Sequence, residues 1–130
     1  MILDTCFIID LMDNNEKAVA KLRELELNNE SIPITSLTVF ELFSGLARSS
    51  NFDREKEKIV NVLSRQIILY FDEKSAEKAG EVDGYLAKKG EKIDAIDSMI
   101  AGIALSRNEK VLTRNVKDFS KVRGLGIEWY

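Results

Sequence analysis

Four short stretches hold the residues of this chain best suited to chemistry: Ile2-Leu3-Asp4-Thr5, Thr38-Val39-Phe40-Glu41, Ile93-Asp94-Ala95-Ile96-Asp97-Ser98-Met99-Ile100-Ala101, and Thr113-Arg114-Asn115-Val116-Lys117-Asp118-Phe119. Carboxylates gathered within a few ångströms repel one another strongly at intermediate dielectric, so such a group persists when a cation neutralises it. Oxygen donors without imidazole or thiolate select Mg²⁺ or Mn²⁺. The chain has no histidine. That removes His-based acid–base chemistry, Ser-His-Asp and Cys-His nucleophiles, and His-ligated zinc. The single cysteine, Cys6, forms neither an internal disulfide nor a cysteine zinc site and reads as a small buried apolar residue.

Taken singly, each acid has a structural reading. Asp4 stands between a strand and a helix, as an N-cap does. Glu41 follows Thr38 at capping-box spacing, but the helix more naturally begins at Ser36. Glu41 then lies past the first turn among Val39, Phe40, Leu42 and Phe43, where a carboxylate needs a partner. Asp94 and Asp97 suit the N-cap and first turn of one helix. Asn115 and Asp118 suit a turn and a short helix start.

The elements that must position these residues alternate. Apolar spacing predicts a strand at 1–3 and helices at 6–12 and 16–27, broken by Asn14-Asn15 and ended by Asn28-Asn29. A strand follows at 32–35, then helices at 36–47 and 53–65, a strand at 67–71 and a helix at 73–88 stopped by Lys89-Gly90. A helix at 94–107, apolar on most sides, precedes strands at 110–113 and 126–129. This alternation predicts an α/β fold, a three-layer α/β/α domain with a central parallel sheet. Ligands bind at the carboxyl ends of the strands in such folds. Asp4 and Asn115 fall just past strand ends, and Glu41 and Asp97 lie early in helices at that same edge.

At 130 residues and 45% hydrophobic content the chain suits one domain with one sizeable core. Lysine and arginine number 19 against 22 acids, so any nucleic-acid binding must use local patches. Asp4, Asp10 and Asp13 interrupt the apolar runs near the start. No leader or membrane span is expected, and the protein is expected to be cytoplasmic.

Leu3-Asp4-Thr5, the glutamate of Thr38-x-x-Glu41, Asp97-x-x-Ile100-Ala101 and Thr113-Arg114-Asn115-x-Lys117-Asp118-Phe119 resemble the motifs of the PIN domain, specifically the VapC toxins of type II toxin–antitoxin pairs. The resemblance runs over essentially the whole chain and includes a closing Gly124-Leu125-Gly126-Ile127 strand. It implies a single PIN domain over 1–130 that is a metal-dependent endoribonuclease, a homodimer, and silenced by a cognate VapB-type antitoxin. Position by position, it makes Asp4, Glu41 and Asp97 catalytic and metal-binding residues. It also makes Asn115 a metal-binding residue, offering a neutral carbonyl oxygen where many members carry a fourth aspartate, and Cys6 stands where Ser or Asn is more usual. Whether Asn115 or Asp118 completes the site stays open. Mg²⁺ or Mn²⁺ held there would activate water against a phosphodiester and leave a 5′-phosphate and a 3′-hydroxyl. Thr5, Asp94, Thr113 and Asp118 are expected in supporting roles, with strand-end capping the other role for the two threonines.

Lys110, Arg114, Lys117, Lys121 and Arg123 lie close together in sequence with one acid, Asp118, among them. The stretch is either an ordinary solvated surface or a patch that follows RNA phosphates through Arg114, Lys117 and Lys121, with Arg48 added. Phe40, Phe43 and Leu46, with Ile59 and Leu63, either pack within the monomer or form a dimer face and antitoxin groove. Two other functions compete. One is a receiver-like phosphoacceptor domain using Asp72 after the strand at 67–71, and the other a metal-free binding module on the same fold.

Overall fold

Helices in this chain begin where a short polar side chain takes a free backbone N–H. The computed structural model describes residues 1–130 in the order β1 (Ile2–Leu3), α1 (Thr5–Met12), α2 (Glu16–Leu27), β2 (Ile34–Thr35), α3 (Ser36–Ala47), α4 (Phe52–Leu63), β3 (Ile68–Leu69), α5 (Glu73–Lys88), α6 (Ala95–Ser106), β4 (Val111–Leu112), α7 (Val116–Phe119) and β5 (Ile127–Glu128). Asp4, Asn15, Thr35, Asp72 and Asp94 cap α1, α2, α3, α5 and α6 through their side chains. Each such cap contributes about 1 kcal/mol. After α1, α2 and α6 the chain turns through Asn14, Asn29 and Asn108, whose φ angles of 56°, 52° and 52° lie in the left-handed region asparagine tolerates.

All strand pairs are parallel. β1-β4-β5 form one ladder and β2-β3 another. The Leu3 N–H donates to the Pro33 carbonyl at 2.9 Å and joins them, giving the order β3-β2-β1-β4-β5. Strand order reverses between β1 and β4, so a crevice opens at their carboxyl ends. The regular strands are shorter than the pattern predicts. Asp4 and Thr35, which stand at strand ends, already cap helices.

Alternation along the strands makes three layers. Leu3, Leu112 and Ile34 pack on Phe7, Ile8, Leu25, Leu42, Leu46 and Ile59 from α1 to α4. Ile2 and Val111 pack on Leu86, Ile100, Ile103, Ala104 and Phe119 from α5 to α7. Gly102 lets α6 lie against α5, since a β-carbon there would sit 2.4 Å from the Ser75 carbonyl oxygen. The apolar stripe of α3 divides. Leu46, like Ile59 of α4, belongs to the monomer core, whereas Phe40 and Phe43 are 58% and 40% exposed. No helix is long and apolar enough to cross a membrane.

Candidate metal centre

β1 and β4 are paired in register at Leu3 and Leu112, so the next residue of each, Asp4 and Thr113, reaches the same edge. Thr113 Oγ1 donates to Asp4 Oδ2 at 2.7 Å, and the Thr5 N–H donates to Asp4 Oδ1 at 2.8 Å. Cys6 Sγ lies 3.2 Å from Asp4 Oδ2 as a further donor. Burial, and then the Asp4 charge, push the Cys6 thiol pKa up, which keeps its proton. Cys6 is thus a polar member of the site and not the apolar filler its type suggests.

Thr35, not Thr38, caps α3: its Oγ1 accepts the Thr38 N–H at 3.1 Å. The Thr38-to-Glu41 spacing is therefore no capping box, and the Glu41 carboxylate is free to face β1. Thr5 Oγ1 donates to Glu41 Oε1 at 2.6 Å and lies 3.2 Å from Thr38 Oγ1. Burial raises the Glu41 pKa, the Thr5 bond opposes this, and repulsion from Asp4 and Asp94 adds to it.

Asp97, in the first turn of α6, is pushed up to about 7 by burial and then by the charges of Asp4, Asp94, Glu41 and Asp118. The carboxylates therefore share one field. None of Asp4, Glu41, Asp94 and Asp97 forms an ion pair with a lysine or arginine. Asp94 is exposed and caps α6, accepting the Ile96 N–H at 2.9 Å.

After β4 the polar side chains pair with one another and with α1. Asn115 Nδ2 donates to Asp97 Oδ2 at 3.1 Å and to Asp118 Oδ2 at 3.2 Å, so its amide bridges the two acids. Asp118 holds Lys121 at 3.3 Å. Its pKa is lowered by the Asn115 bond and then by Lys121. Arg114 pairs with Asp10 at 3.0 Å. Of the expected phosphate-following residues, Lys117 is exposed on α7, and Arg48 ends α3 with Nε donating to the Ser44 carbonyl at 3.3 Å. Asp72, the receiver-like candidate, caps α5 and pairs with Arg107 at 3.4 Å.

Two participants were missed. Asp10 is 7% exposed and accepts from Tyr130 Oη at 2.7 Å. A lone acid in Phe7-Ile8-Ile9-Asp10-Leu11 was the available signal, because a buried carboxylate needs partners. Tyr130, 120 residues away, carried none. Burial, and then the Asp10 bond, hold its phenol pKa above the ordinary tyrosine value.

The donor set is all oxygen and uncompensated in charge, which fits a hard divalent cation. No three acidic side chains converge into an all-protein cage.

The PIN domain family model matches residues 1–125. The tRNA(fMet)-specific endonuclease VapC of Salmonella typhimurium is 32% identical over 126 residues, which span 97% of this chain and 94% of that protein. Ribonuclease VapC1 of Haemophilus influenzae is 33% identical over 123 residues, spanning 95% and 92%. The solved structure of VapBC2 from Rickettsia felis, bound to a DNA fragment from its promoter, matches with a TM-score of 0.91 at 28% identity and covers 99% of this chain and 97% of that one. With its acids at the switch point of the sheet and this similarity along its whole length, the chain belongs to the PIN-domain family and stands among the VapC members.

Proposed function

We propose that this chain acts as one PIN domain, a Mg²⁺- or Mn²⁺-dependent endoribonuclease toxin of the cytoplasm, held silent by a VapB-type antitoxin. The observation that carries the metal requirement is that Asp4, Glu41 and Asp97 pair with no lysine or arginine, while burial, and then the neighbouring acids, raise the Asp97 pKa to about 7. When bound, the cation supplies Lewis acidity, activating water near neutral pH and offsetting charge on the leaving oxygen. Asp4, Glu41 and Asp97 would hold it. Thr113 and Thr5 fix the carboxylates of Asp4 and Glu41, so little reorientation is needed on binding. Asn115 bonds both Asp97 and Asp118, which supports its place as the fourth residue at the cation with Asp118 in a supporting role.

Arg114, Lys117, Lys121 and Arg48 are assigned to RNA phosphates. The antitoxin would lie in the groove of about 260 Å³ lined by Ile9, Met12, Glu41, Leu42, Gly45 and Ile59. From there an arginine or lysine of the antitoxin can neutralise the carboxylates in place of metal. Exposed Phe40 and Phe43 are the surface assigned to a homodimer, which sedimentation at micromolar concentration would detect.

The test is cleavage of an initiator tRNA transcript, chosen because one relative is named for that RNA, with mapping of the new ends. Cleavage with Mn²⁺ that leaves 5′-phosphates and stops on adding EDTA is expected. Undiminished cleavage in EDTA would overturn the metal requirement.

A further inference from the structure

The carboxylate pocket does not account for Asp10, which is buried on α1 one turn beyond Cys6 and so shares its face. Both residues of that face reach Arg114. The Arg114 backbone N–H donates to Cys6 Sγ at 3.4 Å, and Arg114 Nε pairs with Asp10 Oδ2 at 3.0 Å. Tyr130 Oη donates to the same Asp10 oxygen at 2.7 Å. The Tyr130 ring meets Phe7 edge-on at 4.7 Å and 82°. The segment leading to Tyr130 is itself anchored on α2, by Lys21 to Glu128 at 2.5 Å and by Lys17 over the Trp129 ring at 5.9 Å.

Arg114 is therefore fastened at its backbone and at Nε, yet its side chain remains 52% exposed. Its neighbours in the chain, Thr113 and Asn115, bond Asp4 and Asp97, so it stands at the rim of the pocket. A free guanidinium there would be drawn onto those acids, where it would compete with a cation. It pairs instead with Asp10 alone. A guanidinium carries five donors, and engaging Nε leaves the terminal nitrogens to receive an anion with fork geometry.

We propose that Asp10 and Tyr130 are positioning residues that hold Arg114 off the carboxylates and aim its guanidinium at a phosphate of the RNA strand entering the pocket. This rests on the ribonuclease reading above. The edge-on contact with Phe7 holds Tyr130, its hydroxyl bond keeps Asp10 in place, and Asp10 sets the direction of Arg114.

The test measures binding of a labelled RNA strand to the full chain in EDTA, steady-state cleavage in Mn²⁺, and Mn²⁺ binding by calorimetry. It uses Arg114→Gln, Arg114→Lys, Asp10→Asn and Tyr130→Phe, the last of which keeps the ring on Phe7. Arg114→Gln should weaken RNA binding and raise KM by roughly 10–100-fold, the scale of one or two charge-assisted bonds. Arg114→Lys should recover only part of this because it lacks the fork. Asp10→Asn and Tyr130→Phe should raise KM by roughly fivefold, the scale of one ordinary hydrogen bond, with kcat and Mn²⁺ affinity little changed. Wild-type KM in Arg114→Gln would overturn the proposal. So would lower kcat and weaker Mn²⁺ binding at unchanged KM in Asp10→Asn and Tyr130→Phe, because the network would then merely brace the pocket. A wild-type protein that neither binds nor cleaves RNA would overturn the ribonuclease reading and the proposal together, an outcome distinct from the variant results.

Discussion

At the junction of α5 and α6, Arg107 meets Asp72, Ser75, Ser106 and the carbonyls of Tyr70 and Ile103. Where β1 and β4 end, Asp4, Glu41 and Asp97 meet hydroxyls, a thiol and an amide, but no cation. Both are polar clusters that include a helix start, at α5 in the first and at α1 and α6 in the second, and in both a side chain caps that helix. In the first, a positive group sits among acceptors, and the Asp72 pKa is lowered, chiefly by its Ser75 bond and also by Arg107. In the second, the hydrogen bonds orient the acids without cancelling their charge, and burial, followed by the neighbouring acids, raises the Asp97 pKa to about 7. Charge balance distinguishes the cluster that fastens two helices from the one that can take up a cation.

The comparison breaks most sharply at the acids. Asp97→Asn should reduce cleavage by more than the roughly 10–100-fold that loss of an orienting partner costs, while urea midpoints hold or rise because repulsion is relieved. Full activity in that variant would remove Asp97 from the site. Thr113→Val deletes the donor to Asp4 and keeps the shape, so cleavage should fall by roughly 10–100-fold, with Mn²⁺ binding weakened alongside. Mn²⁺ affinity equal to wild type would show that Thr113 does not set the orientation of Asp4.

Arg107→Ala should do the converse. It should cost about 1.5–3 kcal/mol of stability in urea unfolding, the scale of hydrogen bonds to a charged group, and leave cleavage per folded molecule at the wild-type level. Loss of cleavage beyond loss of fold would erase the contrast between the clusters. Asn115→Asp replaces a bridging donor by a further charge between Asp97 and Asp118. It should lower the unfolding midpoint in EDTA and tighten Mn²⁺ in calorimetry, and an unchanged midpoint would mean that the amide bridge is idle.

A pH slope should accompany these effects. Asp97 titrates at about 7 when folded against an ordinary 3.8, so between these values the folded state binds the extra proton. Stability in EDTA should therefore fall as pH rises from 3.8 through about 7 and level off above. Asp97→Asn, or saturating Mn²⁺, should flatten that segment of the curve.

The spans 16–27, 36–47 and 73–88 were legible as helices because caps and apolar spacing act within one or two turns. The same locality made Asn28-Asn29 and Lys89-Gly90 readable as stops. Asp4, Glu41 and Asp97 were legible as candidates from residue type and their places beside strands, and the absence of histidine excluded the competing chemistries. Their partners were not. The Thr113-to-Asp4 bond joins residues 109 apart, and Asp10 to Tyr130 joins residues 120 apart. Neither exists until the parallel register places β4 beside β1 and the segment after β5 beside α1. The opposite directions of Arg114 and Lys121, one toward Asp10 and the other toward Asp118, were likewise settled by packing. Sequence determined which groups carry charge and which helices carry them, since these depend on covalent identity and short-range hydrogen bonds. Tertiary structure alone decided which charges remain unpaired, because Coulomb energies and desolvation depend on distances that only the assembled sheet defines.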